Sequence, residues 1–316
     1  MKRPIMRLNE SQSAEIDELR AAEPAPSRRP VVPALEEILF QALPVLDHGF
    51  IRVVDYMGDD AAVVQAARVS YGKGTRKVSD DRGLIRYLMR HRHTSPFEMC
   101  EIKLHVKLPI FIARQWIRHR TAAVNEYSAR YSVLDDEIYV PEAAGVAVQS
   151  VDNRQGRGAS LAPEDAEAVR ESIRTGGEEA FRRYHELLND DGEGKPVTEG
   201  SPSVARELAR VVLPLSTYTQ WYWKTDLHNL LHFVALRLDP HAQAEIRAYA
   251  EVLADVLRRW VPATYEAFTD YRLDALELSG PALAVVRRML GGEKVTVEQS
   301  GLSPREWREL MHKLDV

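Results

Sequence analysis

Residues Glu101 to Leu108 constrain the fold more tightly than any other stretch. Ile102, Leu104, Val106 and Leu108 alternate with Glu101, Lys103, His105 and Lys107. A period of two over this length predicts a strand with one face in a core and the other wet, the pattern of an antiparallel pair. Pro109 follows at once, and its fixed φ and missing N–H suit the first position of a helix. Ile110, Ala113 and Ile117 then fall on one helical face, with Gln115 and Arg118 on another.

The other elements are read around this strand–helix unit. Gly49–Met57 is β-rich. Asp59 or Asp60 caps a helix through Ala61–Val69, and Ser79 and Asp80 start another with Leu84, Ile85, Leu88 and Met89 inward. His91–Glu98 reads as a loop because Pro96 disfavours helix at Ser95. Ser203–Leu215 reads as a helix carrying Arg206 and Arg210 on one face. An aromatic run, Thr217–Trp223, precedes a helix that begins at Asp226. Asp239-Pro240 caps the next helix, whose stripe is Ile246, Ala250, Leu253, Leu257 and Trp260. Residues 34–43 read as a short helix, and 163–188 as helical with a break near Gly176-Gly177. The first thirty residues are charged and rich in Pro, Ala and Ser, a mostly disordered composition.

Charge and cysteine content exclude several functions. The net charge of −5 argues against a general polyanion-binding surface, so no nucleic-acid partner is expected. One cysteine, Cys100, leaves no intrachain disulfide or multi-cysteine metal cluster. No apolar run reaches membrane-spanning length, and the N-terminus lacks a signal-peptide apolar region. A cytoplasmic protein without a membrane partner is the expectation.

Against this acidic background, Gln115–Tyr131 is cationic. It holds Arg118, His119, Arg120 and Arg130 against Glu126 alone, among Gln115, Asn125, Ser128 and two tyrosines. Guanidinium groups grip phosphate or carboxylate through paired hydrogen bonds. On a continuing helix Arg118 and Arg120 would diverge by ~200°. Either the helix ends there or the two arginines serve different ligands. Arg210 and Arg237 form a second cationic group, each within an otherwise apolar stretch, so each requires an acid or a ligand. Glu207 and Asp239 are the candidate acids.

Arg118-His119-Arg120 followed, after seven residues, by Ser128 resembles the signature of the flavin-dependent thymidylate synthases. Asn125-Glu126 before the serine and Arg130-Tyr131 after it fit the same family. The resemblance runs from about Gly49 to about Tyr271 and is weakest over 141–201. It implies an α+β fold with a small antiparallel sheet and several long helices, assembled as a homotetramer with active sites between subunits. It also implies three regions: an N-terminal extension over 1–48, partly disordered; a catalytic domain over 49–271 with an insert at about 141–201; and a helical tail over 272–316.

The implied reaction is conversion of dUMP to dTMP, with methylenetetrahydrofolate as carbon donor and NADPH-reduced FAD as hydride donor. No Gly-x-Gly-x-x-Gly fingerprint is present for the nicotinamide cofactor. The resemblance places Ser70, His93, Ser95, Arg118, His119, Arg120, Glu126, Asp226, Leu227, His228 and His232 at FAD. It places Gln115, Trp116, Ile117, Arg118, then Glu126, Tyr127, Ser128, Ala129 and Arg130, with Arg210 and Arg237, at dUMP. Arg237 is the residue implied to activate the uracil ring, and Ser128 is read as a binding group because no base to activate it is evident. Three positions depart from the pattern: Ala123 for serine, Ala129 for glycine, and Asp226 where some members have Asn. The rival reading is a metal-dependent hydrolase, with His228 and His232 four apart on a helix and Asp226 or His241 as a third ligand.

Overall fold

The computed structural model describes residues 10–22, 28–69, 81–151, 156–192 and 194–315. Ser70, the Tyr71–Val78 loop and the Ser79-Asp80 helix start fall outside the described residues. In chain order the strands are β1 (Ala42–Val45), β2 (Gly49–Met57), β3 (Glu101–Pro109), β4 (Ala123–Glu126), β5 (Ala147–Gln149), β6 (Arg157–Ser160) and β7 (Tyr218–Asp226). Five of them build one antiparallel sheet in the order β1-β2-β3-β7-β4. β5 and β6 pair with each other. The architecture is therefore α+β, as the resemblance implies.

The alternation in β3 holds over most of the strand: Ile102, Leu104, Val106 and Leu108 are buried, while Glu101, Lys103 and His105 are only partly covered. Lys107 departs from it, being 2% exposed and paired with Glu137. β3 pairs with β7 over its whole length, from Glu101 opposite Asp226 to Pro109 opposite Tyr218. On the buried face, Trp221 and Trp223 of β7 meet Trp116, Phe233 and Tyr249, with Trp116 centred 4.6 Å from Phe233 and 5.4 Å from Trp223. The Ala244–Trp260 helix contributes the stripe Ile246, Ala250, Leu253, Leu257 and Trp260, every member fully buried.

Several local expectations are corrected. The 34–43 stretch is a single turn, Pro33–Glu36, followed by β1. Ser95–Glu98 is a short helix rather than loop, with Pro96 inside its first turn, where its missing N–H is harmless. Ser203–Leu215 is helical only over Arg206–Ala209, with a 3-10 turn at Arg210–Val212. The Ala244–Trp260 helix starts after Gln243, beyond Asp239-Pro240. Pro163–Leu188 runs unbroken through Gly176-Gly177. Gly177 is there for space, since a Cβ would collide with Ile138 Cδ1. Asp59 is the N-cap of the Asp60–Val69 helix, accepting from Ala62 N at 2.8 Å, whereas Asp60 takes the N–H groups of Ala263 and Thr264.

The N-terminal stretch holds a helix, Glu10–Ala21, with Ile16 buried. Glu15 from this helix accepts from Arg52 at 3.1 Å. The chain divides at 265/266 into two compact units. The second contains Gly280–Leu290 and Pro304–Leu314, started by Ser279 and by a Ser303/Glu306 capping box, around Val285, Leu302 and Leu310.

Arg52 Nη2 also donates to His105 Nδ1 at 3.0 Å, so the proton of the neutral ring sits on Nε2 and points at Gln220 Oε1, 3.0 Å away. Burial, then the Arg52 charge, pushes His105 down to about 4. The unfolded chain takes up this proton near pH 6.5, the folded chain only near 4. The contribution is complete above pH 6.5 and declines as pH falls through that window, by at most about 3 kcal/mol. Urea melts of His105→Gln between pH 4 and 7 should show a flatter profile than the parent. An unchanged slope would assign the acid sensitivity to carboxylates.

Candidate functional site

The helix opened after Pro109 covers Ile110–Trp116 and stops there. Its fully buried Trp116 pins the last turn, and the N–H groups of Ile117, Arg118 and His119 close the end on Ala113, Gln115 and Trp116 carbonyls at 2.9, 3.3 and 2.9 Å. Arg118, His119 and Arg120 thus stand on a turn, which resolves the helical divergence: the helix ends. Arg118 and Arg120 are exposed, and among the described residues neither is paired with a carboxylate. His119 is half-buried, 5.8 Å from the His232 ring and edge-on to Phe233 at 5.5 Å. Burial, then the nearby His232 and the Arg237 guanidinium, lowers its pKa, which favours the neutral ring.

Asp226 caps the next helix, Leu227–Leu238, accepting from Asn229 N at 2.9 Å and Nδ2 at 2.6 Å. The cap aims this helix so that His232, Phe233 and Arg237 face the 118–120 turn. Leu227 is fully buried, as is Trp116, so either could meet a ligand only through its backbone. The Ser95–Glu98 helix packs against the same helix, and Ser95 lines an open hollow of about 540 Å³ with Gln65, Val69 and Met99. His93 is exposed, with Tyr87 edge-on at 5.9 Å, and its N–H closes the Asp81–Arg90 helix on Leu88 O at 3.0 Å.

Among the described residues Arg237 has no acid as partner. Its Nη2 donates to Gln115 O at 3.4 Å, its guanidinium lies 5.9 Å from the Phe233 centroid, and its buried Nε has no hydrogen-bond partner. Asp239, the expected alternative partner, accepts instead from the backbone N–H and Nδ1 of His241 at 2.8 and 2.9 Å. Burial lowers the Arg237 pKa, yet a guanidinium at neutral pH remains charged.

The second group sits elsewhere on the sheet. Glu126, Tyr127, Ser128 and Ala129 line a cavity of about 350 Å³ together with Arg210, Ile110, Tyr218 and Thr219. This size suits a small ligand. Glu126 is held by Thr219 Oγ1 at 2.8 Å, and Arg130 N donates to Ser128 Oγ at 3.3 Å. Arg130 and Glu207 form an exposed pair at 3.4 Å. Arg210 is exposed, contrary to the expectation of a buried arginine, because the helix expected to bury it unwinds after Ala209. Its Nε donates to the Glu207 carbonyl at 3.3 Å, and among the described residues no carboxylate pairs with it. Ala129 has no positive φ, so alanine in place of glycine carries no backbone strain.

The two groups lie at opposite ends of β7. Thr219 bonds Glu126 beside the cavity, and Thr225 Oγ1 bonds Thr121 O beside the cationic turn at 3.0 Å. Six residue steps along the strand separate these threonines by roughly 20 Å, more than a nucleoside monophosphate spans. Gln243 and Glu245 escaped the sequence reading: Gln115 Nε2 donates to Gln243, whose Nε2 donates to Glu245 at 2.9 Å. The available signal was a carboxylate at a buried position of the 244–260 stripe. Among the described residues no three His, Cys, Asp or Glu side chains gather as a metal-ligand set, so the hydrolase reading of His228 and His232 finds no support.

A family profile described as thymidylate synthase complementing protein matches residues 52–263. A flavin-dependent thymidylate synthase of Gluconobacter oxydans is 60% identical over 310 residues, 98% of this chain and 99% of the relative. One from Ruegeria pomeroyi is 58% identical over 304 residues, 96% and 98% of the two chains. Among solved structures, the UMP/dUMP methylase PolB from Streptomyces cacaoi bound with 5-Br dUMP superposes with a TM-score of 0.62, at 36% identity, covering 73% of this chain and 99% of that one.

A half-buried charge without an acid should not hold the fold together. Arg237→Met is expected to melt within about 1 kcal/mol of the parent or above it. A loss beyond about 2 kcal/mol in thermal or urea melts would make Arg237 a structural residue.

Proposed function

The chain belongs to the flavin-dependent thymidylate synthase family, and we propose how its residues divide the conversion of dUMP to dTMP. Methylenetetrahydrofolate supplies the carbon. FAD, reduced by NADPH, supplies the hydride when bound. The donor set fits such a group: two unpaired guanidiniums, Arg118 and Arg120, stand beside a neutral His119 and an aromatic wall. With them we assign Ser70, His93, Ser95, Glu126, Asp226, Leu227, His228 and His232 to FAD. The catalytic work is assigned to residues 49–271, with 1–48 and 272–316 as additions.

The dUMP phosphate is assigned to Ser128, Arg130 and Arg210. The observation that carries this is the shared cavity, which brings Ser128 and Arg210 together from distant parts of the chain. An uncompensated Arg210 and a serine hydroxyl offer charge and a donor to an anion. The rest of dUMP is assigned to Gln115–Arg118, to Glu126, Tyr127 and Ala129, and to Arg237. Arg237 has no carboxylate to absorb its field, so its positive charge remains available where the uracil gains negative charge.

A single chain keeps the Ser128 cavity and the Arg118 turn too far apart for one nucleotide. We therefore propose that a second copy completes each site, within a homotetramer. Tyr131, Leu208, Val211 and Leu215, at 58–78% exposure beside the cavity-lining segments, supply an apolar rim for that copy to cover.

Arg237→Lys should fold and keep flavin, while deoxythymidylate formation falls roughly two to three orders of magnitude, the loss of one well-aimed donor of about 2.7–4 kcal/mol. NADPH-driven flavin reduction should fall far less; stopped-flow measurement of both half-reactions decides it, and a near-parental methylation rate would refute the role. Ser128→Ala should weaken dUMP binding yet turn over at saturating dUMP. Abolished turnover with intact binding would instead make Ser128 a participant in bond-making.

A further inference from the structure

One side chain carries the insert to the Gln115 side of the site. Arg157 opens β6, anchors its Nη1 on Gly145 O at 3.0 Å, and pairs through Nη2 with Glu245. Glu245 lies in the first turn of the Ala244–Trp260 helix and is only 2% exposed. A buried carboxylate persists only when its lone pairs are filled, and here they are: Arg157 and Tyr139 OH (3.0 Å) on Oε1, Gln243 Nε2 (2.9 Å) on Oε2. Burial alone would raise its pKa, but the Arg157 and Gln243 bonds outweigh that and the carboxyl stays ionised.

An ionised carboxylate can only accept, so it dictates which end of the Gln243 amide faces it. Gln243 must turn Nε2 to Glu245 and Oε1 to Gln115, and Gln115 must answer with its own Nε2. The Gln115 main-chain carbonyl, at the end of the helix that this side chain anchors to Gln243, receives Arg237 Nη2 at 3.4 Å. This bond and the Phe233 ring are the fixed contacts that locate the guanidinium. A buried ion pair contributes little net stability compared with an apolar pair of the same shape. Its geometric consequence is larger, because each side-chain bond from Arg157 to Gln115 admits one orientation, and together they tie down the residue whose main chain carries the Arg237 contact.

We infer that Arg157 and Glu245 are positioning residues: the β5–β6 hairpin, through Glu245, Gln243 and Gln115, sets where Arg237 stands. This rests on the role proposed above for Arg237.

The test uses the full-length, flavin-loaded enzyme with Arg157→Ala, Arg157→Lys and Glu245→Gln. The expected result for Arg157→Ala and Glu245→Gln is flavin absorbance like the parent and dUMP binding within a few-fold by calorimetry. Deoxythymidylate formation at saturating substrate should fall roughly ten- to hundredfold, as a misplaced group does, with NADPH-driven flavin reduction unchanged. Arg157→Lys should recover most of the rate. In an Arg237→Lys background, Arg157→Ala should add no further loss, because both changes act through one group. Multiplying losses in the double variant, or a near-parental rate for Arg157→Ala with Glu245→Gln, overturns the inference. Lost flavin or a lowered melting temperature with no selective effect on methylation also overturns it, leaving a structural role alone. A parental rate for Arg237→Lys by itself would sink the reading of Arg237; a slow Arg237→Lys beside a parental Arg157→Ala sinks only the positioning role.

Discussion

The full-length antiparallel register of β3 with β7 is the constraint from which the rest follows. It sets Trp221 and Trp223 against Trp116 and Phe233 on one face, so the helix after Pro109 and the helix after Asp226 must cover the same patch. Aromatic burial of this kind contributes strongly and with defined geometry. Because β4 pairs with the far edge of β7, the segment from Thr121 to Ser128 is carried along that strand. The cationic turn is left at one end and the Ser128 cavity at the other. The distance between them is therefore a property of the sheet, fixed by strand rise.

A second theme is charge left uncompensated. The outer helix surface of 163–188 is laced with Arg–Glu pairs such as Arg182 with Glu179 and Glu186. Among the described residues Arg118, Arg120, Arg210 and Arg237 have no such carboxylates, although acids lie close in sequence to two of them. Asp239 is turned to His241 and the Glu207 carboxylate to Arg130. Exposed pairs contribute little to stability, so their absence at Arg118, Arg120 and Arg210 costs the fold little, whereas the half-buried Arg237 keeps a buried Nε without a partner.

Much of this was legible in the sequence where one physical signal dominated. The β3 alternation, the Asp226 cap and the 244–260 stripe all read directly, because period and capping chemistry are local. The Arg-His-Arg turn and Ser128 read through their resemblance to a family signature. Other features are tertiary and escaped. Gly177 breaks a helix by propensity, but Ile138 needs the space beside it, and packing overrides the local preference. The Ser203–Leu215 stretch has helical periodicity, yet its backbone leaves the helix after Ala209 and exposes Arg210 at the cavity. Nothing local could show that Thr121 and Ser128, seven residues apart in the chain, lie beside opposite ends of β7, a separation set by the register of β4 on that strand.

Subunit complementation tests the split site most directly. A Ser128→Ala/Arg210→Ala variant lacks the phosphate half, and an Arg237→Ala variant lacks the other. Each alone should form deoxythymidylate at a small fraction of the parental rate. After the two are mixed, dissociated and reassembled, some sites will combine an intact cavity from one copy with an intact Arg237 from another, so activity should return well above the sum of the separate variants. If reassembly is demonstrated, by mass or by a tag exchanged between variants, and the mixture stays as slow as its parts, each site is built within one chain and the half-site account is wrong.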